Sequence, residues 1–141
     1  MADPKKIHVG VNGFGVIGKR VAAAVARQED MSLAGVSDVV TDWRASTALR
    51  NGFRLFGATA EYAGAMRAAG LDVTGTLDEL LGQADVVVDC TPKRMAAKNI
   101  DMCSSNTARI LNAFSRVCPE FVALSLRNRA IFRSKLTKAA V

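Results

Sequence analysis

The chain has 141 residues, half of them hydrophobic and 23% charged, with a formal net charge of +6. That length suits one domain with its own core and is short for a two-domain oxidoreductase. No apolar run is long enough to span a bilayer, and Met1-Ala2-Asp3-Pro4-Lys5-Lys6 leads into a short strand and not into a signal-peptide core, so a soluble, cytoplasmic protein with no membrane partner is expected.

Ile7 to Val11 is a short continuous apolar run, the pattern of a strand buried on both faces of a parallel sheet. It passes directly into Asn12-Gly13-Phe14-Gly15-Val16-Ile17-Gly18. A helix carrying Ile17, Val21, Ala24 and Val25 at helical spacing follows, to about Gln28. Strand, glycine turn and helix in that order are what a dinucleotide requires. Gly13 permits the tight turn, and Gly15 lets the backbone approach a pyrophosphate. Gly18 lets the helix lie close to its strand, while the helix N-terminus points free N–H groups at the phosphates. A bare Gly-x-Gly-x-x-Gly is weak evidence; the flanking strand and helix, and Asp38 twenty residues beyond Gly18, strengthen it. Gly13, Phe14, Gly15, Gly18 and Asp38 are therefore candidate cofactor-binding residues.

Met31 to Ser37 reads as the second strand and delivers Asp38 to the carboxyl edge of the sheet. A short helix over Thr41 to Arg50 closes at Asn51-Gly52, and Phe53 to Phe56 is a brief third strand. Ala60 to Ala69 is alanine-rich and helical, with Gly70 as its C-terminal cap. Thr76-Leu77-Asp78-Glu79 is a capping box; Leu77, Leu80 and Leu81 give that helix its apolar face, and Gly82 ends it. Ala84 to Cys90 is the fourth strand, after which Thr91-Pro92 opens another helix through Met95, Ala96 and Ala97. This alternation predicts an α/β fold, a Rossmann-type doubly wound and mostly parallel sheet.

Beyond Asp101 the pattern weakens. Ile110, Leu111, Phe114 and Val117 line one helical face, and Phe121 to Leu126 has strand character. Residues 1–101 are the expected dinucleotide-binding domain and 102–141 an atypical basic C-terminal segment. Twelve basic residues balance twelve acidic ones up to Asp101, whereas 102–141 hold seven basic residues and Glu120 alone. A solvated surface is the plainer reading of that excess. Nucleic acid is not the expected partner, and homo-oligomer formation stays open.

Several residues have a bland reading beside a chemical one. Cys90, Cys103 and Cys118 match no metal spacing and suit free thiols, with Cys90 a small buried hydrophobe. His8, inside the first strand, reads as buried and structural. Trp43 reads as an anchor of its short helix to the core, with stacking on an adenine as the alternative. Asp89 reads as a cap or loop-bonding carboxylate. Lys93, Arg94 and Lys98 are equally a phosphate-steering face or a solvated one.

Seven stretches add a family likeness: Val11-Asn12-Gly13-Phe14-Gly15-Val16-Ile17-Gly18-Lys19-Arg20-Val21, Leu33 to Asp38, Asp42-Trp43-Arg44, Ala68 to Thr76, Asp78 to Leu81, Asp85 to Arg94, and Ala97-Lys98-Asn99. In these, over about two-thirds of its length, the chain resembles the cofactor domain of archaeal-type glyceraldehyde-3-phosphate dehydrogenase. The resemblance implies NAD or NADP as hydride acceptor. It implies backbone contacts from Val16 and Ile17 to the pyrophosphate, and it places Thr91 and Pro92 beside the nicotinamide-side ribose. Many members carry a lysine, associated with NADP, where this chain has Asp38. An aspartate there accepts hydrogen bonds from an unmodified ribose and repels a 2′-phosphate, with Arg44 placed to counter that repulsion. NAD is favoured and NADP stays open.

The family's catalytic thiol lies in a Ser-Cys-Asn-Thr-Thr segment. Aligning Asn106-Thr107 with it puts Ser105 at the position of the cysteine and leaves Cys103 two positions early. The sole histidine is His8. Thioester chemistry needs a thiolate, an acid/base and an oxyanion donor held together, so no catalytic or metal residue is assigned. The expectation is an NAD(P)-binding domain without a complete catalytic site, either a contracted form or one whose reading frame shifts near Ile100. The alternative is a non-catalytic interaction protein whose basic tail binds nucleic acid or an acidic partner.

Overall fold

Side chains alternate across β1 (Ile7–Asn12), so that Val9 and Val11 point to one face while Gly10 and Asn12 point to the other; all four are buried. Only a strand with neighbours on both sides and layers on both faces is buried in that way. The computed structural model describes residues 6–92 and 109–112. After β1 follow α1 (Val16–Ala26), β2 (Met31–Asp38), α2 (Trp43–Arg50), β3 (Leu55–Gly57), α3 (Ala60–Ala68), β4 (Val73–Thr76), α4 (Leu77–Gln83), β5 (Val86–Asp89) and β6 (Arg109–Asn112).

The six strands form one parallel sheet in the order β4-β3-β2-β1-β5-β6. From β1 the chain winds outward to β4, then returns to lay β5 on the opposite side of β1. That reversal leaves a crevice at the carboxyl ends of β1 and β5, where loops depart in opposite directions. The fold is Rossmann-type, as the alternation of strands and helices predicts.

Two apolar layers hold the sheet. On one face Val9, Val11, Val36, Val86 and Val88 pack with Val21 and Val25 of α1, Ala45 and Ala48 of α2, and Ala63 and Met66 of α3. On the other, Leu77, Leu80 and Leu81 of α4 pack on Ala34, Phe56 and Val87. Each fully buried Val, Leu or Phe among them stabilises the fold by roughly 1.5–3 kcal/mol.

Local signals were accurate where they were strong. Glu79 accepts the Thr76 N–H at 2.7 Å and completes the capping box of α4. Gly70, at φ 81°, follows the end of α3. Two differences stand out. β4 falls where no strand is expected, because a four-residue segment containing Gly75 has little strand character until it pairs with β3. Ile110 and Leu111 lie in β6, not on a helix, in register with Val87 and Val88 of β5. The expected domain boundary at residue 101, the helix through Met95 to Ala97, Lys93, Arg94, Lys98, Cys103 to Thr107, and Phe121 to Leu126 lie outside the described residues.

Candidate functional site at the carboxyl edge

The turn after β1 begins at Gly13, whose φ of 90° favours glycine. Its N–H donates to the Ser37 carbonyl at 2.8 Å, and a β-carbon there would press on Cys90 and Thr91 at 3.1–3.2 Å. The turn is therefore wedged between the ends of β2 and β5. A β-carbon on Gly18 would collide with the Gly13 carbonyl oxygen, which is why the first turn of α1 can sit directly on the glycine loop. Gly15 differs from both. Its φ of −77° suits any residue, and among the described residues a β-carbon there meets nothing within 4 Å. The packing of the described residues gives no reason for glycine at this position, whereas the close approach of a ligand would supply one.

Gly15 is also the N-cap of α1. Among the described residues no side chain caps that end, and its first turn holds no acidic residue. The amides of Val16, Ile17 and Gly18 thus open α1 toward the crevice, with the positive end of an eleven-residue helix behind them. Val16 is 73% exposed and Ile17 packs partly against the core.

Phe14 takes part through its backbone alone. Its ring is buried, edge-on to Phe53 with centroids 6.2 Å apart, and its N–H donates to Asp38 Oδ2 at 2.8 Å. Asp38 Oδ1 accepts from the Val39 N–H at 2.7 Å. Asp38, at the end of β2, therefore holds the glycine turn on one side and its own loop on the other, with further lone pairs on both oxygens.

Arg44 is engaged by Asp42. Its Nε reaches both carboxylate oxygens at 3.0–3.1 Å and its Nη2 one of them at 2.7 Å, while Asp42 also caps α2 through the Arg44 N–H. These bonds from Arg44 hold the Asp42 carboxyl below its ordinary value, and Lys19 adds a smaller pull in the same direction. The Arg44 guanidinium is held up by Asp42 first and by the negative charge of Asp38 beyond it. Trp43 is not the anchor expected of it: it is 66% exposed, with Lys19 Nζ 3.9 Å from its ring centroid.

Across the crevice a polar row runs along the strand ends. Ser37, Asn12 and Asp89 are in register on β2, β1 and β5, and all three are buried. Ser37 Oγ donates to Asn12 Oδ1 at 2.7 Å, and Asn12 Nδ2 faces Asp89 Oδ1 at a long 3.5 Å. The same Asp89 oxygen accepts from the Thr91 N–H at 3.0 Å and from Thr91 Oγ1 at 2.6 Å. Thr91 lies at the rim and Pro92 is exposed beside it. Reading along the sequence gave Asp89 its loop-bonding role but missed Asn12 and Ser37, whose only sequence signal is a polar residue closing an otherwise apolar strand.

His8 is exposed, not buried as expected, since it belongs to the start of β1 where the sheet's layers thin out. It sits beside Asp85, whose N–H donates to the His8 carbonyl at 2.8 Å, at the edge opposite the crevice. Cys90 is buried, and burial first, then the charge of Asp89, pushes its thiol up to about 12. It is a packed side chain and not a thiolate. Among the described residues no cluster of His, Cys, Asp and Glu suits a metal, and no helix is long and apolar enough to cross a membrane.

A model of the family described as dihydrodipicolinate reductase, N-terminus, matches residues 7–113. The chain belongs to this family. Curated relatives of the dihydrodipicolinate reductase N-terminal domain in this chain include glyceraldehyde-3-phosphate dehydrogenase of Methanothermus fervidus, 46% identical over 94 residues, which are 67% of this chain and 28% of that protein. The same enzyme of Methanobacterium bryantii is 50% identical over 91 residues, 64% of this chain and 27% of that one. The chain thus matches little more than a quarter of the length of these relatives. Apo scyllo-inositol dehydrogenase from Lactobacillus casei shares the fold, with a TM-score of 0.58 at 17% identity over 77% of this chain and 28% of that one. The family's N-terminal domain here is a Rossmann-type NAD(P)-binding domain resembling the N-terminal part of archaeal glyceraldehyde-3-phosphate dehydrogenase, and a nicotinamide dinucleotide is the cofactor that these likenesses support.

Proposed function

We propose that this chain holds a nicotinamide dinucleotide across the carboxyl edge of its sheet and prefers NAD to NADP. The observation that carries this reading is the start of α1: uncapped, free of acidic residues, and fronted by the open space at Gly15. The amides of Val16 and Ile17 hold the pyrophosphate there, with Gly13 and Gly18 making the turn that brings them to it. Asp38 accepts from the adenosine-side ribose, and Thr91 with Pro92 borders the nicotinamide-side ribose. When bound, the cofactor supplies a hydride acceptor.

The preference for NAD follows from charge. The Asp38 carboxylate repels a 2′-phosphate, and Arg44, the cation placed to offset it, is already paired with Asp42. The described residues hold no thiolate and base together at the crevice: the thiol of Cys90 is buried, and His8 lies at the far edge, about 13 Å away along β1. Cofactor binding, and not a complete reaction, is the activity proposed for this chain.

The test is direct. Trp43 is the sole tryptophan, exposed near the proposed adenosine side. Titration with NADH and NADPH, followed by tryptophan quenching and by thermal denaturation, is expected to give saturable quenching and a raised melting temperature, at lower concentration for NADH. No response to either nucleotide at millimolar concentration overturns the reading, while equal responses overturn only the preference.

A further inference from the structure

Asn-Gly occurs twice in the chain, at Asn12-Gly13 and at Asn51-Gly52. In such a dipeptide the glycine nitrogen, with no β-carbon beside it, can attack the carbonyl carbon of the asparagine side chain. A ring imide forms and the side-chain nitrogen leaves as ammonia. Water then opens the ring to aspartate or isoaspartate, and no other reactant is needed. The fold treats the two dipeptides in opposite ways.

Asn12 is buried at the end of the central strand, with its Oδ1 accepting from Ser37 Oγ at 2.7 Å. The Gly13 N–H is bonded to the Ser37 carbonyl at 2.8 Å, and β1 is paired along both flanks. Freeing that nitrogen requires β1 to leave the sheet. Asn51 and Gly52 are instead both exposed, just past the end of α2. They form a Schellman motif with Gly52 at φ 74°: the Gly52 N–H donates to the Leu49 carbonyl at 2.9 Å and the Phe53 N–H to the Ala48 carbonyl at 3.0 Å. With Asn51 at ψ 2°, the Gly52 nitrogen is eclipsed with Asn51's own nitrogen and turned away from its β-carbon. Attack therefore waits until the motif opens. That opening breaks only hydrogen bonds at a helix end, a far smaller event than loss of the central strand.

We propose that Asn51 is a modification site: fraying of the last turn of α2 lets the Gly52 nitrogen close on the Asn51 side chain, while the sheet protects Asn12. The product bears on its surroundings. A carboxylate arises at the negative end of α2, and isoaspartate adds one atom to the main chain ahead of Phe53. Phe53 is the residue packed edge-on against Phe14 of the glycine turn.

The whole folded chain is aged at pH 8 beside a sample unfolded in urea, and the tryptic peptides carrying each asparagine are followed by mass spectrometry. In the folded sample Asn51 is expected to convert at least about tenfold faster than Asn12, with isoaspartate the larger product, and in urea the two rates should agree within about threefold. Equal rates in the folded sample, or conversion of Asn51 in urea alone, overturn the proposal. Aspartate as the sole product means direct hydrolysis by water and overturns the role of Gly52. Asn51→Gln, whose longer side chain closes a ring far more slowly, is aged alongside. Fully converted wild type is expected to melt about 1–4 °C lower than fresh protein, and aged Asn51→Gln to stay unchanged. An equal loss in both overturns the effect on α2. If Asn51→Gln does not fold, the wild-type peptide map decides.

Discussion

The Phe14 N–H donates to Asp38 Oδ2 at 2.8 Å, joining the glycine turn after β1 to the last residue of β2. One carboxylate thereby serves the fold and faces the crevice at once. Asp38→Ala is expected to leave the Phe14 amide unpaired and to cost about 1–2 kcal/mol of stability with no nucleotide present. Asp38→Asn, which keeps an acceptor but not the charge, is expected to cost less and to raise NADPH affinity relative to NADH. Urea unfolding of the free variants, with nucleotide titrations alongside, checks both. An Asp38→Ala protein as stable as wild type sinks the first expectation.

Gly15 and Gly18 are three residues apart and should respond in opposite ways. Gly15→Val finds open space, so its melting temperature stays near that of wild type while NADH affinity falls by about tenfold or more, the loss of roughly 1.4 kcal/mol of phosphate contact. Gly18→Ala meets the Gly13 carbonyl oxygen and is expected to lose about 1–3 kcal/mol of stability. Thermal melts and NADH titrations of the two variants distinguish them. Equal destabilisation by both overturns the distinction between the two glycines.

Asp42 ties stability to acid. Its folded value lies below its ordinary 3.8, so the favourable effect of its bonds to Arg44 is present above that ordinary value and is lost as pH falls through the lower folded one. The stability difference between wild type and Asp42→Ala is therefore expected at pH 7 and should vanish under strong acid. Asp42→Ser keeps an N-cap while releasing Arg44, and it is expected to raise NADPH affinity a few-fold. If Asp42→Ser,Arg44→Gln shows the same gain, Arg44 is not its source.

Cys90 ties stability to base. Its thiol is pushed up from 9.0 to about 12, so the stability linked to keeping it neutral is complete below pH 9 and is lost as pH rises toward 12. In a background with Cys103→Ser and Cys118→Ser, native Cys90 is expected to resist iodoacetamide at pH 8 and to react once urea unfolds the chain. Prompt alkylation of the folded protein overturns the assignment.

Much of this site is local and therefore legible. The glycine turn, the amphipathic stripe of α1, the capping box at Thr76 and the cap at Gly70 each depend on residues a few positions apart. What escaped depends on tertiary neighbours. Asp38 and Phe14 are 24 residues apart, and Asn12 and Asp89 are 77 apart, so their contacts exist only once β2 and β5 flank β1. β4 has too few residues to announce itself before β3 pairs with it. Trp43 was expected in the core because tryptophan is large and apolar, but Lys19 covers its ring at the surface instead. The helical spacing of Ile110 and Leu111 was coincidental, since two adjacent apolar residues suit a strand equally well.

β1 is bonded along both flanks, to β2 and to β5, and the cradle springs from its end. Amide protons there should be among the last in the chain to exchange with heavy water, because releasing them means parting the middle of the sheet. A dinucleotide held there as proposed would meet a mould already set, with little of its affinity lost to freezing the backbone.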